Sequence, residues 1–174
     1  MPAPLLPFDM QGFCRAVDQA RQDRGLDWNA AMREINLPFQ GTPSIPIHLS
    51  TVRGMAGKRS VTSAVALQVL RWLGRAPEDF LAGPSPWPPA ATALPEPGPG
   101  RILRFHTAAL HAALDIVRRE RSLTWKQVAA EIPAFTPSML TNLASGPLIG
   151  FPRVLYLTQW LDQPAVTFVR ICSR

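Results

Sequence analysis

Residues 8–35 read FDMQGFCRAVDQARQDRGLDWNAAMREI, and residues 105–132 read FHTAALHAALDIVRRERSLTWKQVAAEI. Aligned at an offset of 97, they share Phe8/Phe105, Ala16/Ala113, Asp18/Asp115, Arg21/Arg118 and Arg24/Arg121. Leu26/Leu123, Trp28/Trp125, Glu34/Glu131 and Ile35/Ile132 continue the match. Further on the offset is 88, with Ser50/Ser138, Ala56/Ala144, Trp72-Leu73/Trp160-Leu161 and Phe80/Phe168. The change from 97 to 88 puts nine extra residues in the first copy, within 36–48. Tryptophans repeated in two separate blocks mark a tandem duplication of one small unit.

Each copy reads as five helices. In the second, Leu110, Leu114 and Val117 recur at helical spacing over 105–121. Ser122-Leu123 breaks the run. Thr124 and Gln127 then have the spacing of a capping box, and Val128 and Ile132 share a face before Pro133 stops the helix. Thr136 caps a third helix with Pro137 at its first position, and Leu140 and Leu143 face inward until Gly146-Pro147. Pro152 opens a fourth helix carrying Leu157, Trp160 and Leu161, and Phe168 falls on a short fifth. The same plan predicts helices over 8–24, 27–35, 49–56, 60–73 and 76–81. No alternating strand pattern is evident, so the expected class is all-α, with the four paired tryptophans in the cores. The expected division is a first domain over 1–81, a linker over 82–100 and a second domain over 101–174.

The linker AGPSPWPPAATALPEPGPG holds seven of the 19 prolines, which disfavour helix and stiffen the chain. At polyproline rise it reaches about 60 Å. Trp87 within it is read as either free or docked on a domain. The 47% hydrophobic content is enough for a core. The net charge is +6, with sixteen arginines and two lysines, which fits either an anionic partner or a compositional bias. Residues 101–174 hold nine basic and four acidic side chains, residues 1–81 nine and seven, so the second copy is the more positive. Two cysteines, Cys14 and Cys172, exclude a disulfide scaffold and a cysteine-ligated zinc ribbon. No run reaches the ~18 apolar residues of a membrane span, and residues 1–9 do not read as a signal peptide, so a cytoplasmic protein is expected.

A short helix, a turn, and a second short helix with leucines three apart have helix-turn-helix spacing. The second copy resembles the Cro/phage-repressor type, or XRE-like, helix-turn-helix domain. The resemblance rests on Arg118-x-x-Arg121-x-Leu123-Thr124-Trp125-x-x-Val128-Ala129, on Ser138-x-Leu140-x-x-Leu143-x-x-Gly146, and on the helix of Trp160-Leu161. It covers about 65 residues of the second copy and, more weakly, about 74 of the first. It implies that Ala129 marks close helix packing and that Gly146 ends the reading helix. Two departures stand out. Pro133-Ala134-Phe135 replaces the usual turn glycine, and the first copy has Met32 for the alanine together with the expanded turn 36–48.

The resemblance further implies that the third helix of each copy enters the major groove. In the second copy this makes Thr136, Ser138, Met139, Thr141 and Asn142 the base-reading surface. Asn142 suits adenine, the hydroxyls suit several bases, and Met139 suits a thymine methyl. Thr124, Lys126 and Gln127 are placed for phosphate. In the first copy the surface is Ser50, Thr51, Arg53 and Gly54, with Lys58 and Arg59 beyond; Arg53 suits guanine. Arg118, Arg119 and Arg121 read as a solvated face, with a contact to DNA the alternative, and Arg101 and Arg104 as an arm for a backbone. His106 and His111, five apart, do not share a helical face and make no metal pair. No catalytic, cofactor or metal constellation is evident, so no enzyme and no cofactor are expected.

The function expected is a DNA-binding transcriptional regulator reading double-stranded DNA at an asymmetric or pseudo-palindromic site, its two copies paired within one chain. The alternative is a helical protein-interaction module that has lost DNA binding in one or both copies, with self-association or a protein partner. No membrane partner is expected.

Overall fold

The computed structural model describes residues 3–145 and 149–173. The first copy comprises α1 (Met10–Asp23), α2 (Trp28–Asn36), α3 (Leu49–Arg53) and α4 (Ser63–Leu73). Short 3₁₀ turns lie at Leu37–Phe39, Met55–Gly57 and Pro77–Phe80. A single helical turn, α5 (Pro89–Thr92), follows. The second copy runs β1 (Ile102–Phe105), α6 (Thr107–Glu120), α7 (Trp125–Glu131), α8 (Pro137–Thr141), α9 (Phe151–Trp160), a 3₁₀ turn at Ala165–Phe168 and β2 (Val169–Cys172). Among the described residues no helix is long and apolar enough to cross a membrane.

The all-α expectation of two five-helix domains is corrected by β1 and β2, which pair antiparallel with Ile102 opposite Cys172 and Phe105 opposite Val169. Ile102 and Leu103 are buried, so the extended backbone around them needs hydrogen-bond partners, and β2 supplies them. The first copy keeps only one bridge of this ladder, Phe8 to Leu81. There Pro7 and Pro84 occupy the positions of Arg104 and Cys172, and proline has no N–H to donate. The fifth helix expected in each copy is a 3₁₀ turn, and in the second it runs directly into β2.

The duplication is visible atom by atom. Arg21 donates to Asp18 Oδ1 and, at 2.9 Å, to the Leu26 carbonyl; Arg118 does the same to Asp115 Oδ1 and, at 2.9 Å, to the Leu123 carbonyl. Asp9 N–H donates to the Phe80 carbonyl at 2.7 Å, as His106 N–H does to that of Phe168. Left-handed backbone recurs too: Gly25 and Ser122 have φ of 64° and 53°, and Gly74 and Asp162 have 66° and 53°.

The copies are joined about a local two-fold axis. Thr62 and Gly150, equivalent residues at the offset of 88, form an antiparallel bridge with each other. Contact between a residue and its own counterpart is the signature of an isologous interface. A Cβ on Gly150 would meet the Ser60 hydroxyl, which would have to turn away to admit any larger residue there. Next to it the Phe151 N–H donates to the Val61 carbonyl at 2.8 Å, and the Phe8 and Phe151 rings meet edge to face at 5.4 Å.

Each copy also lends an arm to the other. Leu103 sits in the core built on α1, α2 and α4, and Gln68 of α4 donates to its carbonyl at 3.2 Å. Its counterpart Leu6 is held at both N–H and carbonyl by Gln159 of α9, each at 2.9 Å, while Leu5 packs on the second core. Residues 82–100 run against the first copy. Thr92 and Pro97 are buried, Trp87 is half-buried, Leu94 packs on the core, and Glu96 lies 3.8 Å from Arg71.

Candidate nucleic-acid interface

The two short helices α3 and α8 are the third helices of the copies, at the positions where the sequence resemblance puts the reading helix. On α8 the capping hydroxyl of Thr136 accepts from the Met139 N–H at 3.3 Å, Leu140 is buried, and Ser138, Thr141 and Asn142 are exposed. Met139 is half-buried. Leu140 and Leu143 anchor the segment, which leaves Ser138, Thr141 and Asn142 to solvent. The Thr141 hydroxyl donates back to the Ser138 carbonyl at 3.1 Å. Gly146, expected to end this helix, lies outside the described residues. The turn before α8 places Ala134 at φ 63°, a conformation that glycine takes without strain.

Thr124, Lys126 and Gln127 are all exposed at the start of α7. Thr124 and Gln127 form the anticipated capping box: the Gln127 N–H donates to Thr124 Oγ1 at 3.2 Å, and Gln127 Oε1 accepts from the Thr124 N–H at 2.8 Å. Their oxygens are thus occupied, while Lys126 and the Gln127 amide NH₂ make no hydrogen bond among the described residues.

The first copy differs at each of these points. Asp27, Asn29 and Ala30 stand where the second copy has Thr124, Lys126 and Gln127. Asp27 caps α2 by accepting from the Ala30 N–H at 2.7 Å, so a carboxylate occupies the place assigned to phosphate in the second copy. On α3 Ser50 and Arg53 are exposed and Thr51 is half-buried. The Arg53 guanidinium lies 5.7 Å from the Trp28 ring. Lys58 and Arg59 are exposed just before the two-fold axis at Thr62.

Much of the positive charge is already engaged. Arg121 pairs bidentately with Glu131, both distances 2.8 Å, and Trp160 donates its indole N–H to the same carboxylate at 2.8 Å. These two donors hold the Glu131 carboxyl below the usual range. Arg118 and Arg119 converge on Asp115 at 2.7 and 2.9 Å, and the Arg118 hydrogen bond lowers that carboxyl too. Arg104, expected as part of an arm, is half-buried on β1 and lies 3.4 Å from Ser44 Oγ; Arg101 is exposed. Sequence reasoning missed the Arg–Glu–Trp network although all three residues repeat in register. It also placed all four tryptophans in the core. Only Trp72 is buried; Trp28, Trp125 and Trp160 are half-buried under arginines.

Compared with protein-family models, characterised proteins and solved structures, the chain matches none.

Proposed function

We infer that the chain is a DNA-binding transcriptional regulator whose tandem helix-turn-helix copies act as one internal dimer. The observation that carries this reading is the bridge between the equivalent residues Thr62 and Gly150. The operation that exchanges those two residues exchanges α3 with α8, and a two-fold pair of such helices is what successive half-sites of a duplex require. The second copy is the principal reader. Ser138, Thr141 and Asn142 meet base edges, and Lys126 with the Gln127 amide meets phosphate. The first copy contributes Ser50, Thr51 and Arg53, with Lys58 and Arg59 on the backbone. Because the two surfaces differ in every base-reading residue but the serine, the site read is asymmetric.

The test is fluorescence anisotropy of the full chain with a random duplex of about 30 base pairs at two salt concentrations. Binding at low salt that falls by about 0.9 log units per contacted phosphate per decade of salt supports the reading. No binding at low salt overturns it. A second reading, a protein-interaction role for the first copy, is favoured by the uncharged turn 36–48.

A further inference from the structure

The thirteen residues 36–48 include no Asp, Glu, Lys or Arg. They are nevertheless firmly held. Asn36 closes the base of the turn by donating from Nδ2 to the Ile47 carbonyl at 2.9 Å and accepting the Ile47 N–H at 2.8 Å. Pro38 and Phe39 are buried, and the Thr42 hydroxyl donates to the Phe39 carbonyl at 2.8 Å. Pro38, Pro43 and Pro46 each fix φ. On this stiff frame Leu37 is 57% exposed and Ile45 81%, the latter the most exposed large apolar side chain among the described residues.

Leu37 stands between two grooves. One, of about 490 Å³, runs along α2 past Met32, Arg33 and Pro46. The other, of about 410 Å³, reaches Arg71 and Gly98. The acidic residues on the rims are already engaged: Glu34 accepts from Trp72 at 2.8 Å and pairs with Arg24 at 3.6 Å, and Glu96 faces Arg71. Arg33 is exposed and enters no ion pair among the described residues, so with Glu34 held by Arg24 and Glu96 by Arg71 it is the rim charge left for a ligand. A turn without Lys or Arg offers no permanent cation of its own to a phosphate. A rigid apolar ridge with Arg33 on its rim suits an apolar segment bearing carboxylates, because little entropy is lost on docking.

We propose that the 36–48 turn is a docking ridge for an acidic peptide segment of another protein, whose apolar anchors seat against Leu37 and Ile45 while its carboxylates meet Arg33. The proposal does not depend on the second copy binding DNA. Random twelve-residue peptides displayed on phage are to be selected on the full chain, and the winners synthesised and titrated. The expected winners combine Asp or Glu with Leu, Ile, Phe or Trp. They should lose at least tenfold in affinity for a Leu37→Ser/Ile45→Ser variant and several-fold for Arg33→Glu. Both apolar side chains are largely exposed, so the double variant should keep the wild-type circular dichroism and Tm; Ile45→Lys alone serves if it does not. Failure to enrich any peptide overturns the proposal, as do basic winners or winners that bind the double variant equally well. Two other results also overturn it: loss, in the double variant, of a dimer seen by sedimentation, which makes the ridge a contact between copies of the chain, and weaker duplex binding with peptide affinity unchanged, which makes it a nucleic-acid surface.

Discussion

Trp72 donates its indole N–H to the Glu34 carboxylate at 2.8 Å. The same bond, at the same length, joins Trp160 to Glu131 in the second copy, and each tryptophan lies under an arginine that pairs with the same glutamate. The motif ties the fourth helix of each copy to its second. Trp72→Phe removes the donor and leaves the exposed Glu34 carboxylate to Arg24 and water. It is expected to cost about 0.5–1.5 kcal/mol in urea denaturation, and Trp160→Phe less, because the Trp160 ring is more open to water than that of Trp72. Coupling in a Trp72→Phe/Glu34→Gln double-mutant cycle checks the assignment; additive single effects would contradict it.

Lys126 and the pair Ser138 and Asn142 are assigned different work, so their substitutions should separate. Lys126→Ala is expected to weaken binding to all duplexes alike and to shallow the salt slope by about one. Ser138→Ala and Asn142→Ala should leave the slope unchanged and relax preference at single positions, by about 1–3 kcal/mol each. Competition anisotropy with a selected site and its point variants reads both. Identical behaviour of the three variants would sink the division.

Leu103 reaches from the second copy into the first core, so the copies should unfold together. Leu103→Ala is expected to cost about 2–5 kcal/mol and to lower one shared transition. Tryptophan fluorescence and far-UV circular dichroism during urea unfolding should coincide for the wild type. Two separate transitions would show that the copies fold independently.

Glu78 is buried where the first copy meets the second, with Oε1 accepting from the Ala165 N–H at 2.6 Å and Oε2 without a partner among the described residues. Burial pushes its carboxyl above the usual range, against the pull of the backbone hydrogen bonds. The folded chain therefore holds this proton to higher pH than the unfolded chain, and stability falls as pH rises from the unfolded carboxylate range through the folded value. Glu78→Gln keeps the acceptor and removes the charge. It is expected to raise Tm at pH 8 and to change it little at pH 4. An equal shift at both pH values would contradict the buried charge.

Ala134 carries left-handed backbone in the turn before α8. Ala134→Gly should relieve that strain, about 1–2 kcal/mol, against about 0.5–1 kcal/mol of added unfolded-state entropy. A small net gain in Tm is expected; a clear loss would mean that the alanine methyl makes a contact outweighing the strain.

The repeat and the main helices were legible because paired tryptophans, capping residues and prolines carry local signals. Asp27, Thr62, Thr124 and Thr136 all cap helices in the structure. The strands escaped because ILRF and VRIC are four residues each, too short for an alternation to stand out, and they pair across most of the second copy. The joining of the copies escaped for a related reason. Thr62 and Gly150 look like ordinary loop residues, and only their meeting gives them meaning. At the candidate site the exposed positions of α8 followed from the spacing of Leu140 and Leu143. That Arg121 is spent on Glu131 did not, because a hydrogen bond between helices leaves no periodic trace; the Asp115–Arg118 pair lies three apart on α6 and was there to be read.

The bridge from Thr62 to Gly150 lies within one covalent chain, and this changes how such a pair responds to dose and to mutation. A pair assembled from two free molecules dissociates on dilution, so its occupancy of any shared target rises more steeply than linearly with expression. Here the partner is always present at the same effective concentration. In a homodimer every substitution appears twice. In this chain it appears once, so Arg53 and its counterpart Thr141 were free to drift apart, and so were Thr62 and Gly150, which meet at the junction as two different residues.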